Sequence, residues 1–152
     1  MIMITLCEIN EDNFDAIVKM EVAPEQKRFL ASNAHSLAQC WLYREAGDVF
    51  PRAIHADGEP VGFLLFDADF EERFLSIWRV MIDCRHQGKG YGTEALRIAL
   101  AEAAQCGRFD YATLDCSEDN PAAHVYTKLG FRPTGEINRG SVEYRLDFPS
   151  HA

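Results

Sequence analysis

The sequence predicts a mixed α/β fold, and three observations carry that expectation. Strand-like and helix-like patterns follow one another in the order β, α, α, β, β, β, α, β, α, β, β, which counts seven strands and four helices around one sheet. One run, Phe74 to Ile82, is apolar on both faces, as expected for a strand in the middle of a sheet. It leads into a loop with glycines at 88, 90 and 92, which opens the longest helical pattern in the chain.

Each element has a local cause. Met1 to Ile9 alternates as a strand, and Asn10 to Asn13 supplies turn and N-cap residues before a helix over Phe14 to Glu21. After Pro24, Leu30, Ala34, Leu37, Ala38 and Trp41 are expected on one face of a second helix, in a region facing the substrate. Val49 to His55 and Val61 to Asp67 read as antiparallel strands about an Asp57-Gly58 turn. A helix over Gly92 to Ala104 is terminated by Gly107, and Tyr111 to Leu114 reads as the next strand. Asn120-Pro121 opens a short helix ending at Gly130. Phe131 to Ile137 and Val142 to Phe148 then form a hairpin around Asn138-Arg139-Gly140.

At 152 residues the chain is expected to be a single domain, 1–152, with 47% hydrophobic and 26% charged residues as in ordinary globular proteins. Its charge of −9 and lack of clustered Lys and Arg argue against nucleic-acid binding. The acidic surface suits a cationic partner and equally serves solubility. No apolar run approaches the ~20 residues that span a bilayer, and Met1 to Asn10 has no basic leader, so a cytoplasmic protein with no membrane partner is expected. The five cysteines, at 7, 40, 84, 106 and 116, have no CxxC or His spacing, so they read as thiols and no metal is expected.

The chemistry concentrates in Arg85-His86-Gln87-Gly88-Lys89-Gly90-Tyr91-Gly92-Thr93. Alternate glycines let successive backbone N–H groups turn inward, and the helix that starts there adds its positive end. A pyrophosphate fits such a loop. A dinucleotide fingerprint would need GxGxxG after the first strand, and a Walker loop GxxxxGK followed by Ser or Thr; neither is present.

Gln87-Gly88-Lys89-Gly90-Tyr91-Gly92 resembles the Q/R-x-x-G-x-G/A signature of the GNAT acetyltransferases. Ala122 through Tyr126-Thr127-Lys128-Leu129-Gly130-Phe131 resembles that family's A-x-x-x-Y-x-K-L-G-F element. The resemblance covers essentially the whole chain and implies a sheet splayed between strands 4 and 5, with acetyl-CoA as co-substrate. It implies that Val80, Met81 and Ile82 pair with the pantetheine arm like an added strand, and that Gly88, Lys89, Gly90, Tyr91, Gly92 and Thr93 hold the pyrophosphate, with Gln87 just before them. Lys89 is a charge partner for phosphate or a solvated lysine. Tyr126 is implied as the general acid for the departing CoA thiolate, and a backbone N–H near Met81 as an oxyanion donor.

One departure concerns the pantetheine contact: where the family carries an asparagine seven residues before the tyrosine, this chain has Asp119, followed by Asn120. Either residue could serve, and Asn120 equally reads as a helix cap. No general base is assigned. Ser76 replaces a glutamate found in some protein-acetylating relatives, while Asp83, Asp115, Glu118, His86 and His124 remain candidates.

The Asp57-to-Phe63 hairpin and Arg79-to-Asp83 with Gln87-to-Gly90 resemble the bacterial diamine and polyamine acetyltransferase branch. That implies spermidine or spermine as acceptor, attacking directly in a ternary complex. Acidic residues that would help are Glu21, Glu25, Asp67, Asp69, Glu71 and Glu72. The alternatives are a protein N-terminal or other small-molecule amine acetyltransferase, and a non-catalytic acyl-CoA sensor. The final strand pair and the sheet edge support a homodimer.

Overall fold

A computed structural model describes residues 1–29 and 31–149. The elements are β1 (Ile4–Cys7), α1 (Phe14–Lys19), α2 (Asn33–Leu42), β2 (Val49–Ala56), β3 (Glu59–Asp69), β4 (Phe74–Ile82), α3 (Tyr91–Gln105), β5 (Tyr111–Ser117), α4 (Ala123–Lys128), β6 (Arg132–Asn138) and β7 (Ser141–Asp147). A 3-10 turn over Pro24–Phe29 joins α1 to α2, and another over Cys84–His86 follows β4. The two expected hairpins turn on Asp57-Gly58 (φ 49° and 83°) and Arg139-Gly140 (φ 51° and 83°). Two successive positive φ values give the turn whose twist matches paired strands.

The strands form one sheet in the order β1-β2-β3-β4-β5-β7-β6. All neighbours are antiparallel except β4 and β5, which pair in parallel at Phe74–Tyr111, Leu75–Ala112 and Ser76–Thr113. The Ser76 and Thr113 hydroxyls, 3.1 Å apart, hydrogen-bond at the last pair. Beyond it the strands part, and Trp78 bulges between Ile77 (opposite Phe66) and Arg79 (opposite Leu65). A bulge of this kind adds local bend and twist where the strands diverge.

Strand alternation feeds two cores. Leu64, Phe66, Leu75 and Ile77 pack on one face with Leu96, Leu100 and Phe131, and Tyr126 of α4 joins them. Phe63, Leu65 and Met81 pack on the other with Ile17 and Met20 of the α1 region. β3 is therefore buried on both faces, with Phe63, Leu64 and Leu65 each at 0% exposure.

Three expectations are corrected in detail. The first strand is confined to Ile4–Cys7, because the Asn13 side chain takes the Glu8 carbonyl (3.0 Å) and folds the chain into a turn. The first helix stops at Lys19, because Glu21 is drawn to the end of β4: its N–H donates to Asp83 Oδ1 (3.2 Å) and its carbonyl accepts from the Cys84 N–H (2.7 Å). In α2 the inner face carries Asn33 and Ser36 with the expected Leu37 and with Cys40, while Ala34, Ala38 and Trp41 face outward. The polar Asn33 is buried because its amide donates to the Ile17 carbonyl (2.8 Å), which turns the helix away from part of its apolar stripe. Trp41 instead lies under the Arg44 guanidinium, and Leu30 lies outside the described residues.

At Gly62, β3 and β4 approach closely. A Cβ there would sit 2.4 Å from the Met81 carbonyl oxygen and 2.7 Å from Ile82 Cδ1. Gly62→Ala is expected to destabilise the fold by about 2 kcal/mol, as overpacking does. Thermal unfolding should show a fall in Tm of about 5 °C.

Candidate active site where two strands part

The parting of β4 from β5 opens a cleft of about 340 Å³. One wall is the end of β4, Val80 to Ile82; another is the start of α4, with Asn120, Ala122, Val125 and Tyr126. The loop and first turn of α3 close one end through Gln87, Gly88 and Gly90 to Thr93, and Val22 and Gln26 reach over from the α1–α2 connection.

The β4 wall offers backbone rather than side chains. Asp83 N–H donates to the Val61 carbonyl on β3 (2.8 Å). Alternation along an antiparallel ladder then turns the Met81 N–H toward β3 as well, and leaves the backbone groups of Val80 and Ile82 facing the cleft. The main-chain N–H groups near Met81 that face the cleft are therefore those of Val80 and Ile82. The Ile82 carbonyl accepts from Gln87 Nε2 at 2.9 Å.

At the loop, Gly88 and Gly90 both have φ +80°, a conformation that side-chain-bearing residues rarely adopt. Gly90 is the N-cap of α3 and supplies no side-chain cap, so the first N–H groups of a 15-residue helix keep their donors for a ligand. Gly92 packs against Ile82, 3.4 Å from its Cγ1 to a notional Cβ, bringing helix and strand together. These donors and the helix dipole fit the diphosphate of a coenzyme.

Tyr126 faces the same cleft from α4. Burial pushes its hydroxyl up to about 12, and the nearby Cys116 thiol pushes in the same direction. Its ring stands edge-on to Phe131, centroids 6.2 Å apart, in the core beneath α4. The phenol is neutral near pH 7 and has a proton to give.

Two expected residues stand apart. Lys89 does not line the cleft; its Nζ lies 5.8 Å from the Tyr91 ring centroid. Asp119 does not line it either, and its carboxylate accepts from the Ser117 hydroxyl. Asn120 does, and its Oδ1 also accepts from the Ala122 N–H (2.9 Å), so it shapes the entry to α4 while facing the cleft.

The candidate bases separate physically. Asp83 is buried, and although burial opposes its charge, hydrogen bonds from Arg85 Nε (2.7 Å) and the Glu21 N–H hold its carboxyl below the usual range. It is a structural tie and a poor base. Asp115 is raised by burial and by the Glu143 charge opposite it on β7. It alternates with buried Leu114 and Cys116 along β5, so it faces the side of the sheet that carries α1 and α2. His86 lines the cleft, His124 hydrogen-bonds the Pro121 carbonyl, and Glu118 is exposed.

A second cavity of about 220 Å³ lies beyond Val22 and Met81, which wall both spaces. Asn33 and Ser32 line it, with Glu21 and Lys27 paired at 3.8 Å. Of the acidic residues expected near an acceptor, Glu21 is here. Asp69, Glu71 and Glu72 are not: Asp69 pairs with Phe74 at the opposite end of β4, roughly 20 Å from Met81 at strand spacing, and its Oδ1 accepts from the Glu72 N–H. Val22 and Gln26 were absent from the sequence expectations, because tertiary contact alone brings them over the cleft.

Residues 5–131 match the Acetyltransferase (GNAT) family, and the chain belongs to that family. It is an N-acetyltransferase by this membership, and its relatives point the same way. The spermine/spermidine N(1)-acetyltransferase of Bacillus subtilis (strain 168) is 26% identical over 145 residues, 89% of this chain and 91% of that protein. Two solved structures share the fold. A ribosomal L7/L12 alpha-N-protein acetyltransferase in complex with coenzyme A superposes with TM-score 0.76 at 19% identity, covering 95% of this chain and 94% of that one. The spermidine N-acetyltransferase from Vibrio cholerae, in complex with CoA and spermine, gives 0.73 at 17%, covering 93% and 92%. Among the described residues no group of three or more His, Cys, Asp or Glu is placed to hold a metal ion, and no described helix is long and apolar enough to cross a membrane.

The Tyr126 environment has a measurable signature. A phenol raised from 10 to about 12 makes the folded state bind the extra proton in that window, so stability is full below pH 10 and falls as pH rises toward 12, by about 3 kcal/mol in all. Spectroscopic titration of tyrosinate is expected to show a step near pH 12 that Tyr126→Phe lacks.

Proposed function

We propose that the protein transfers the acetyl group of acetyl-CoA to a primary amine by direct attack in a ternary complex, with spermidine or spermine as the first acceptors to test. One observation carries the reading: the open backbone of β4, the uncapped glycine-rich start of α3 and the neutral Tyr126 hydroxyl meet in a single cleft.

Acetyl-CoA supplies an activated thioester. Val80 and Ile82 hold the pantetheine arm through main-chain groups, as an added strand would be held, and Asn120 contacts it from the α4 side. The N–H groups of Gly88 to Thr93 hold the diphosphate, and Gln87 braces that loop on Ile82. A main-chain N–H of the Val80–Ile82 segment steadies negative charge on the carbonyl oxygen. Tyr126 keeps its proton until the sulfur needs it.

The acceptor enters through the cavity between α1 and α2, on the far side of Met81 from the coenzyme. The names of the B. subtilis and V. cholerae proteins support a polyamine, as does the net charge of −9. A second reading, acetylation of a protein N-terminus, is favoured by the paired Glu21 and Lys27 beside that cavity, since such a wall suits a peptide's amine and carbonyl together.

Release of free CoA from acetyl-CoA, measured against spermidine, spermine, putrescine, amino acids, aminoglycosides and N-terminal peptides, tests both readings. Polyamine turnover is expected, with Tyr126→Phe lowering kcat by about 100-fold or more while CoA still binds. Turnover of peptides alone supports the N-terminal reading. Coenzyme binding with no turnover of any amine means a sensor.

A further inference from the structure

We propose that Gln26 is a positioning residue that couples loading of the coenzyme loop to the shape of the acceptor cavity. The proposal rests on the reading of the β4–β5 cleft as the coenzyme site.

Gln26 stands in the 3-10 turn between α1 and α2 and lines the cleft. Its Oε1 accepts from Gln87 Nε2 at 2.9 Å, and the same Nε2 donates to the Ile82 carbonyl at 2.9 Å. A single side-chain amide thus joins the end of β4, the residue before Gly88 and the α1–α2 connection. That connection is held at its other end by main-chain ties, Glu21 N–H to Asp83 Oδ1 and Cys84 N–H to the Glu21 carbonyl. Asp83 is 3% exposed and held by Arg85, which makes this end a permanent anchor.

The Gln26 end differs in kind. It is a neutral bond between two half-buried side chains, of a strength that can be made or lost as Gln87 moves. Val22 lies between the two ties and forms part of the wall shared by both cavities, and Lys27 follows Gln26 directly into the second one. Diphosphate held by the Gly88–Thr93 amides immobilises Gln87. The bond passes that order to Gln26, and so to the residues that shape the acceptor cavity. An ordinary net hydrogen bond supports a coupling factor of about 2–10, and the same factor must appear in reverse when the acceptor binds first.

Hydrogen–deuterium exchange with coenzyme A as the probe tests this without any acceptor. Each protein is measured free and at saturating CoA: wild type, Gln26→Leu, which keeps the size and removes the acceptor atom, and Gln26→Glu, which keeps an oxygen for Gln87. In the wild type, CoA should slow exchange in peptides covering residues 86–96 and also residues 21–27. Gln26→Leu should keep the first protection and lose the second by about 2–10-fold in rate, and Gln26→Glu should restore it. Undiminished protection of 21–27 in Gln26→Leu overturns the proposal, as does its loss in Gln26→Glu, which would mark a packing role. Protection confined to 86–96 in the wild type overturns the coupling alone. No protection at 86–96 overturns the coenzyme site and the coupling with it.

Discussion

β4 and β5 run side by side for three residues and then part, and the site depends on that parting. Parallel neighbours need a crossover, which here is α3, and the crossover begins at the end of β4, where the strand has lost its partner on one side. The helix therefore presents its N-terminus at the mouth of the gap its own strand leaves open. The chain leaving β5 enters α4, which sets Tyr126 on the opposite wall. Strand edge, helix dipole and the Tyr126 hydroxyl converge because of a single topological step.

The donors in this cleft are mostly main chain. In a protein of net charge −9 the surrounding field opposes an anion, so a phosphate site needs positive potential supplied locally. Lys89, the one lysine in the loop, lies outside the cleft lining. Helix N–H groups at two left-handed glycines supply directed positive potential that needs no side-chain ordering. Asp83 does the complementary work: its buried carboxylate, met by the exposed Arg85 guanidinium, joins β4 to Glu21 and thereby seats α1 over the sheet.

Much of the fold was legible because its signals are local. Seven strands and four helices follow the expected order, both expected hairpins turn where positive-φ residues stand, and the glycine loop precedes the long helix. Tyr126 and the β4 end, implied by the resemblance to the GNAT motifs, and the glycine loop do meet in one cleft. The misses are tertiary. Asn33 shifted the buried face of α2 away from Ala34, Ala38 and Trp41 through one buried hydrogen bond, though Leu37 still packs inward, and Gln26 reached Gln87 across 61 residues with no periodicity to announce it. The acidic run at Asp67 to Glu72 suggested a cation site by composition, and strand register places its loop residues at the start of β4, away from Met81.

The central claim is that the coenzyme completes the interrupted edge of β4. A crystal structure of the complex with coenzyme A tests it most directly. The account predicts pantetheine hydrogen-bonded to the main chain of Val80 and Ile82, with the diphosphate on the amides of residues 88–93. Coenzyme bound elsewhere, in the cavity between α1 and α2 or along the outer strands, with β4 left uncontacted, would contradict it.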